Sequence, residues 1–137
     1  MALAPELIEA YENADYVVFT DPELVLRIRE PSPRLDALLA AEGATAAAYI
    51  TAANPRSEQK TDAENESAGA TLDELLARSG YPRYAGEARD PEKRRAAEAS
   101  VLVIGIYRDN AVTLARIFGQ NAIVLIEKGK APELVIC

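Results

Sequence analysis

The sequence predicts an α/β or α+β fold over residues 1–137: one domain, with a mixed, mostly antiparallel sheet of about five to six strands and helices packed on it. Three observations carry that expectation. Short apolar runs alternate with segments of helical periodicity along the whole chain. The run Val101–Ile106 is apolar on both faces, as a central strand covered by helices must be. A chain of 137 residues, 49% hydrophobic and 27% charged, can bury roughly two-thirds of its unfolded surface in one core.

Leu3, Leu7, Ile8 and Tyr11 form one stripe of a short helix, with Pro5 suited to its first turn. Tyr16–Phe19 and Leu24–Ile28 are strand-like, and Asp21-Pro22-Glu23 between them fits a type I turn, giving a hairpin. Ser32 can cap a helix that starts at Pro33, turns Leu35, Leu38 and Leu39 inward and ends at Gly43. Ala46–Thr51 then enters the core as a strand, and Asn54 should stay extended because a proline follows it.

Thr61 and Glu64 make a capping box for a helix bearing Leu72, Leu75 and Leu76, with Gly69 as a kink or break and Gly80 as the stop. Tyr81–Arg95, rich in proline and charge, reads as irregular. After the strand Val101–Ile106, Asp109 can cap a helix with Ala111, Leu114, Ala115 and Phe118 on one side, ended by Gly119. Ala122–Ile126 and Leu134–Ile136 complete the sheet as a hairpin through Gly129. No internal repeat or long linker divides the chain.

Charge narrows the partners. The net charge is −7, and the first 26 residues carry Glu6, Glu9, Glu12, Asp15, Asp21 and Glu23 without one Lys or Arg. Between Glu58 and Glu74, Lys60 stands alone against six acids. Nucleic acid would be repelled by such surfaces, since phosphate neutralisation supplies most nonspecific affinity. The basic run Arg89, Lys93, Arg94 and Arg95 is diluted by Asp90 and Glu92 and reads as a solvated loop. The apolar stretches are too short to span a bilayer, and the N-terminus lacks the basic and apolar regions of a signal peptide, so the expected location is cytoplasmic. Cys137 is the only cysteine and has no partner for an intrachain disulfide.

The chain has no histidine, which removes His-based triads, His metal sites and the commonest neutral-pH general base. One cysteine cannot build a thiolate zinc site, and no glycine-rich phosphate loop occurs. No metal or cofactor is expected. The polar junctions remain: Thr51-Ala52-Ala53-Asn54-Pro55-Arg56-Ser57 after one strand, and Phe118-Gly119-Gln120-Asn121 before another.

Those junctions carry a resemblance. Ile50-Thr51-Ala52, Asn54-Pro55, Ser57 and Glu64-Asn65 look like the first signature of a bacterial family of unknown function, DUF3293. The pattern Tyr11…Ala14…Tyr16, Gly86, Glu98 and Phe118-Gly119-Gln120-Asn121-Ala122 look like the rest, so that the similarity covers about residues 11–135. Members commonly carry a tryptophan shortly before the position of Glu98, and this chain has none. The resemblance implies no established activity, substrate or cofactor.

The candidate ligand-binding set is Thr51, Asn54, Arg56, Ser57, Asn65, Glu98, Gln120 and Asn121, with no residue assigned to catalysis. Each also has a local reading. Asn54 and Ser57 form turns readily, Asn121 can close a helix end, Glu64 belongs to the capping box, and Glu98 suits an exposed edge. Arg56, just upstream of a helix N-terminus, is a natural anion clamp, although Asp62 and Glu64 already occupy that positive end. Convergence decides between the readings. If Ala46–Thr51 and Ala122–Ile126 are antiparallel neighbours, Asn54 and Gln120–Asn121 meet at one sheet edge; if they are parallel, the cluster dissolves into two turns.

Three functions follow in order. The first is a binding or regulatory module for a small polar ligand or partner segment, as a monomer or small homo-oligomer. The second is an acidic immunity or antitoxin-type inhibitor of a basic protein partner. The third is a histidine-free hydrolase or transferase using Glu64 or Glu98, ranked last because no nucleophile is visibly paired with a base.

Overall fold

A computed structural model describes residues 3–137. Among the described residues, all strands join one antiparallel sheet, flanked by four α-helices, in the spatial order β2-β1-β4-β5-β3-β6-β7. In chain order the elements are α1 (Pro5–Asn13), β1 (Asp15–Val18), β2 (Leu24–Leu26), α2 (Pro33–Ala41) and β3 (Ala46–Ile50). A single 3-10 turn (Pro55–Ser57) follows, then α3 (Asp62–Ser79), β4 (Arg83–Arg89), β5 (Glu98–Ile104), α4 (Arg108–Ile117), β6 (Ala122–Glu127) and β7 (Glu133–Ile136).

Seven strands replace the five to six expected, and β4 is the addition. Its sequence, Arg-Tyr-Ala-Gly-Glu-Ala-Arg, alternates charged and apolar positions, a period-2 pattern masked by small residues and flanking charge. Ion pairing settles its polar side: Arg83 reaches Asp73 at 2.5 Å, and Arg89 reaches Glu87 at 2.6 Å and Glu23 at 3.2 Å. All six pairings along the sheet are antiparallel, which makes the fold α+β.

Helix boundaries follow local chemistry. Ser32 Oγ accepts the Leu35 amide at 3.2 Å with Pro33 at the first helical position. Both halves of the Thr61–Glu64 capping box form. Helix α3 runs without interruption through Gly69, so the chain does not break there. Helix α4 starts at Arg108, placing Asp109 inside its first turn, where its charge meets the positive helix end, instead of at the cap. The Asp21–Pro22 peptide is cis, which the expected type I turn does not have.

The sheet buries both faces. On the first, Leu24, Leu26, Ile104 and Ile126 pack with Leu35 and Leu39 of α2. On the second, Ala48, Ile50, Val103 and Leu125 pack with Leu72 and Leu76 of α3 and with Ala111, Leu114 and Ala115 of α4. Helix α1 belongs to neither core, for none of its residues is buried.

Candidate functional site

Strands β3 and β6 are antiparallel neighbours, with Ala46 opposite Glu127 and Tyr49 opposite Val124. The C-terminal end of one therefore meets the N-terminal end of the other, and the Asn54–Ser57 loop touches the Gly119–Asn121 turn. The Arg56 amide donates to the Gly119 carbonyl at 2.7 Å, and Gln120 Nε2 donates to the Ala53 carbonyl at 3.1 Å. Asn121 Nδ2 donates to Ser57 Oγ at 3.0 Å. Gly119 takes φ +68°, and a Cβ there would stand 3.0 Å from Pro55 Cβ, so glycine satisfies both the helix exit and the loop contact.

The loop is not extended at Asn54. That residue is left-handed (φ 46°, ψ 61°), and Arg56 and Ser57 also have positive φ (57° and 61°). The preference imposed by Pro55 is overridden by side-chain bonding. Asn54 Oδ1 accepts from the Lys60 amide and from Asn65 Nδ2, each at 2.9 Å, while the Asn54 amide donates to Asn65 Oδ1 at 2.9 Å. The two asparagines thus clasp the start of α3 to the end of β3. Three left-handed non-glycine residues in four positions are costly, and such backbone persists only where surrounding bonds over-determine it.

Asn54 has one further bond, and it points toward the chemistry. Its Nδ2 donates to Glu98 Oε2 at 2.7 Å. Glu98 opens β5 and shares a face with Leu102, opposite Ala88, which in turn stands opposite Tyr16. It is half-buried on a central strand, so the exposed-edge reading does not hold. Burial lifts its carboxyl above the ordinary glutamate range, while the Asn54 bond and the charge of Arg95 pull it back.

Glu98 stands on the wall of a cavity of about 480 Å³ between α1 and the first face of the sheet. Leu7 and Ala10 from α1 and Val124 and Leu134 from the sheet give it apolar walls. Tyr11, Ser57, Ser100, Thr51 and Gln120 bring polar groups to it. Thr51 Oγ1 is already spent locally, donating to the Ala99 carbonyl at 2.6 Å and accepting the Ala53 amide at 3.0 Å.

Two tyrosines make the cavity floor rigid. Tyr16 and Tyr49 meet edge to face with centroids 5.3 Å apart, and burial raises both phenols, so neither ionises near neutral pH. The Tyr49 hydroxyl donates to the Val17 carbonyl at 2.7 Å, crossing over Gly86. A Cβ on Gly86 would lie 2.0 Å from Val17 O and 3.0 Å from Tyr49 Oη, so this contact needs glycine there.

Of the eight expected site residues, Thr51, Asn54, Ser57, Glu98 and Gln120 line the cavity. Asn65 and Asn121 stand behind it, holding Asn54 and Ser57. The Arg56 side chain is exposed, lies off the cavity and makes no ion pair among the described residues; its backbone amide does the bonding. Glu64 is also exposed and off the cavity, its carboxyl held below the ordinary range by its bonds to Thr61. Sequence reasoning did not gather Tyr11, Tyr49, Ser100 and Arg95 into the site. Period-2 parity from Leu102 back through Ser100 to Glu98 was the available signal.

The family model described as "Protein of unknown function (DUF3293)" matches residues 50–123. The chain belongs to that family. No curated protein and no solved structure matches it. The family segment holds the Asn54–Ser57 loop, α3, β4, β5 and the Gly119–Asn121 turn, whereas α1 and Tyr11 lie outside it. Among the described residues no helix is long and apolar enough to cross a membrane, and no cluster of three potential metal ligands occurs.

Proposed function

We propose that this member of the family is a small-molecule binding module whose ligand occupies the cavity under α1. The observation that carries the reading is a half-buried carboxylate, Glu98, set beside tyrosine and serine hydroxyls in a cavity of about 480 Å³ whose lining mixes apolar side chains with polar and charged ones. Ligand sites are typically such concavities, mostly apolar with a few fixed polar groups. The Asn54–Ser57 loop and the Gly119–Asn121 turn serve as the scaffold of one wall. Most of their amides are bonded to protein, which suits holding a shape better than moving atoms.

The test is a ligand-observed NMR fragment screen run on the wild type and on Ala88→Phe, which fills the cavity from β4. Hits that vanish in the variant, and whose wild-type shift changes map to Tyr11 and Ser100, support the reading. Hits that persist unchanged in Ala88→Phe, or a screen without hits, overturn it.

Glu98 also favours a second reading, as a general base, because carboxyls lifted by burial in a cavity often serve that role. Turnover surviving in a folded Glu98→Gln variant would sink it.

A further inference from the structure

Charges around the cavity are not equally committed. Arg89 pairs with Glu87 and Glu23, and Arg94 pairs with Glu92 at 3.1 Å and Asp90 at 3.5 Å. Asp90 also accepts the Glu92 and Arg94 amides at 2.9 and 3.1 Å. Two groups on the lining stand apart. Arg95 lines the cavity with its side chain exposed, and its guanidinium makes no ion pair or hydrogen bond among the described residues. Glu98 uses only Oε2, toward Asn54, which leaves Oε1 without a hydrogen-bond partner among the described residues. Glu98 and Arg95 act on one another through charge, yet they form no ion pair.

A ligand that is only an anion would meet Arg95 and be repelled by Glu98. A ligand that is only a cation would meet Glu98 and be repelled by Arg95. A molecule carrying both charges satisfies the two groups together, half-buried Glu98 at the wall and exposed Arg95 at the rim, and the partial burial of Glu98 makes the charge of its partner count. The apolar surfaces of Leu7, Val124 and Leu134 leave room for a hydrocarbon portion beside the charged end.

We infer that the cavity takes a zwitterion, an amino acid or related amino-carboxylate, with its ammonium on Glu98 Oε1 and its carboxylate on Arg95. The inference rests on the cavity being a ligand site. It adds the class of ligand and gives Arg95 a role that no motif in the sequence assigns.

Four probes test it by isothermal titration: norleucine, its isomer 6-aminohexanoate, and their shared single-charge analogues pentylamine and hexanoate. At least one zwitterion should bind about tenfold or more tightly than both analogues. Glu98→Gln, which keeps an acceptor for Asn54, should cut zwitterion affinity by about tenfold and leave hexanoate no weaker. Arg95→Met should do the same with pentylamine as the unaffected probe. Hexanoate or pentylamine matching the zwitterions, or zwitterion binding indifferent to both variants, overturns the inference but leaves the cavity a ligand site, provided Ala88→Phe abolishes the binding. Silence from all four probes also overturns it, and the cavity reading is then judged by its own fragment screen.

Discussion

Helices α1 and α2 have the same length, nine residues, and the same start, a proline in the first turn, and both lie over the first face of the sheet. They do opposite things there. Helix α2 is capped by Ser32 and drives Leu35 and Leu39 into the core, 1% and 0% exposed. Helix α1 has no side-chain cap and buries nothing, although its apolar stripe is the more regular of the two. Its Leu7, Ala10 and Tyr11 face the cavity instead. An amphipathic stripe records only that a helix has an apolar side, and what that side meets is decided by the opposing surface. Opposite α2 stand Leu24, Leu26, Ile104 and Ile126, which fill the space; opposite α1, Glu98, Ser100 and Ala88, polar or small, interrupt the larger Tyr16, Tyr49, Val124 and Leu134, and a cavity remains.

The comparison breaks most directly at matched leucines. Leu39→Ala should destabilise the protein by about 2–5 kcal/mol, the usual range for a fully buried leucine. Leu7→Ala should cost less than about 1 kcal/mol, because its side chain is only partly covered. Urea titration of both variants measures the contrast, and equal losses would make α1 a core helix. From the floor, Tyr49→Phe removes a buried hydrogen bond to the Val17 carbonyl and should cost about 0.5–1.5 kcal/mol in the same titration.

A smaller effect sharpens the picture of how α1 is held. Among the described residues its ties are few: Tyr11 Oη with Ser57 Oγ at 2.8 Å, the Tyr16 hydroxyl donating to the Tyr11 carbonyl, and Glu12 with Arg29 at 2.5 Å. Tyr11→Phe removes only the first, an exposed bond worth less than about 1 kcal/mol. Amide hydrogen exchange should then quicken across α1 and stay unchanged in α2, as local opening predicts. Equal acceleration in both helices would mean that α1 opens only with the whole domain.

Much of this was legible in the sequence, and the parts that were not share a cause. Ser32, the Thr61–Glu64 box and Gly80 place helix ends through bonds between near neighbours, and each stands where the residues put it. The meeting of Asn54 with Gln120 hung on one long-range fact, the antiparallel pairing of β3 with β6, which no local pattern supplies. Asn54 was misread for the same reason: Pro55 is adjacent and visible, whereas Asn65 and Glu98, which hold Asn54 left-handed, are 11 and 44 positions away. Strand β4 escaped because its apolar positions are Tyr84, Ala85, Gly86 and Ala88, mostly too small to make a hydrophobic run. Its pairing with β1 and β5 on both sides supplies the order that its side chains do not advertise.

The smallest effect tests the electrostatics of the cavity. Glu98 in the folded protein holds its proton to higher pH than an unfolded glutamate, whose ordinary pKa is about 4.3. Between those two values the native state binds more protons than the unfolded chain, so the contribution of Glu98 to stability declines as pH rises through the window, and above it stays unfavourable. Other carboxylates slope the opposite way: Glu64, Asp73, Asp90 and Glu127 are all held low by their bonding partners and stabilise the fold as pH rises. Those terms are common to the wild type and Glu98→Gln, and cancel in the difference between them. Gln keeps an oxygen for Asn54 and carries no charge to desolvate. The variant should therefore be at least as stable as the wild type near pH 7, with the gap closing as pH falls toward about 4, read from paired thermal midpoints. If the wild type instead gains on the variant as pH rises, Arg95 and Asn54 outweigh burial, and Glu98 is a paired structural carboxylate with no charge to spare for a ligand.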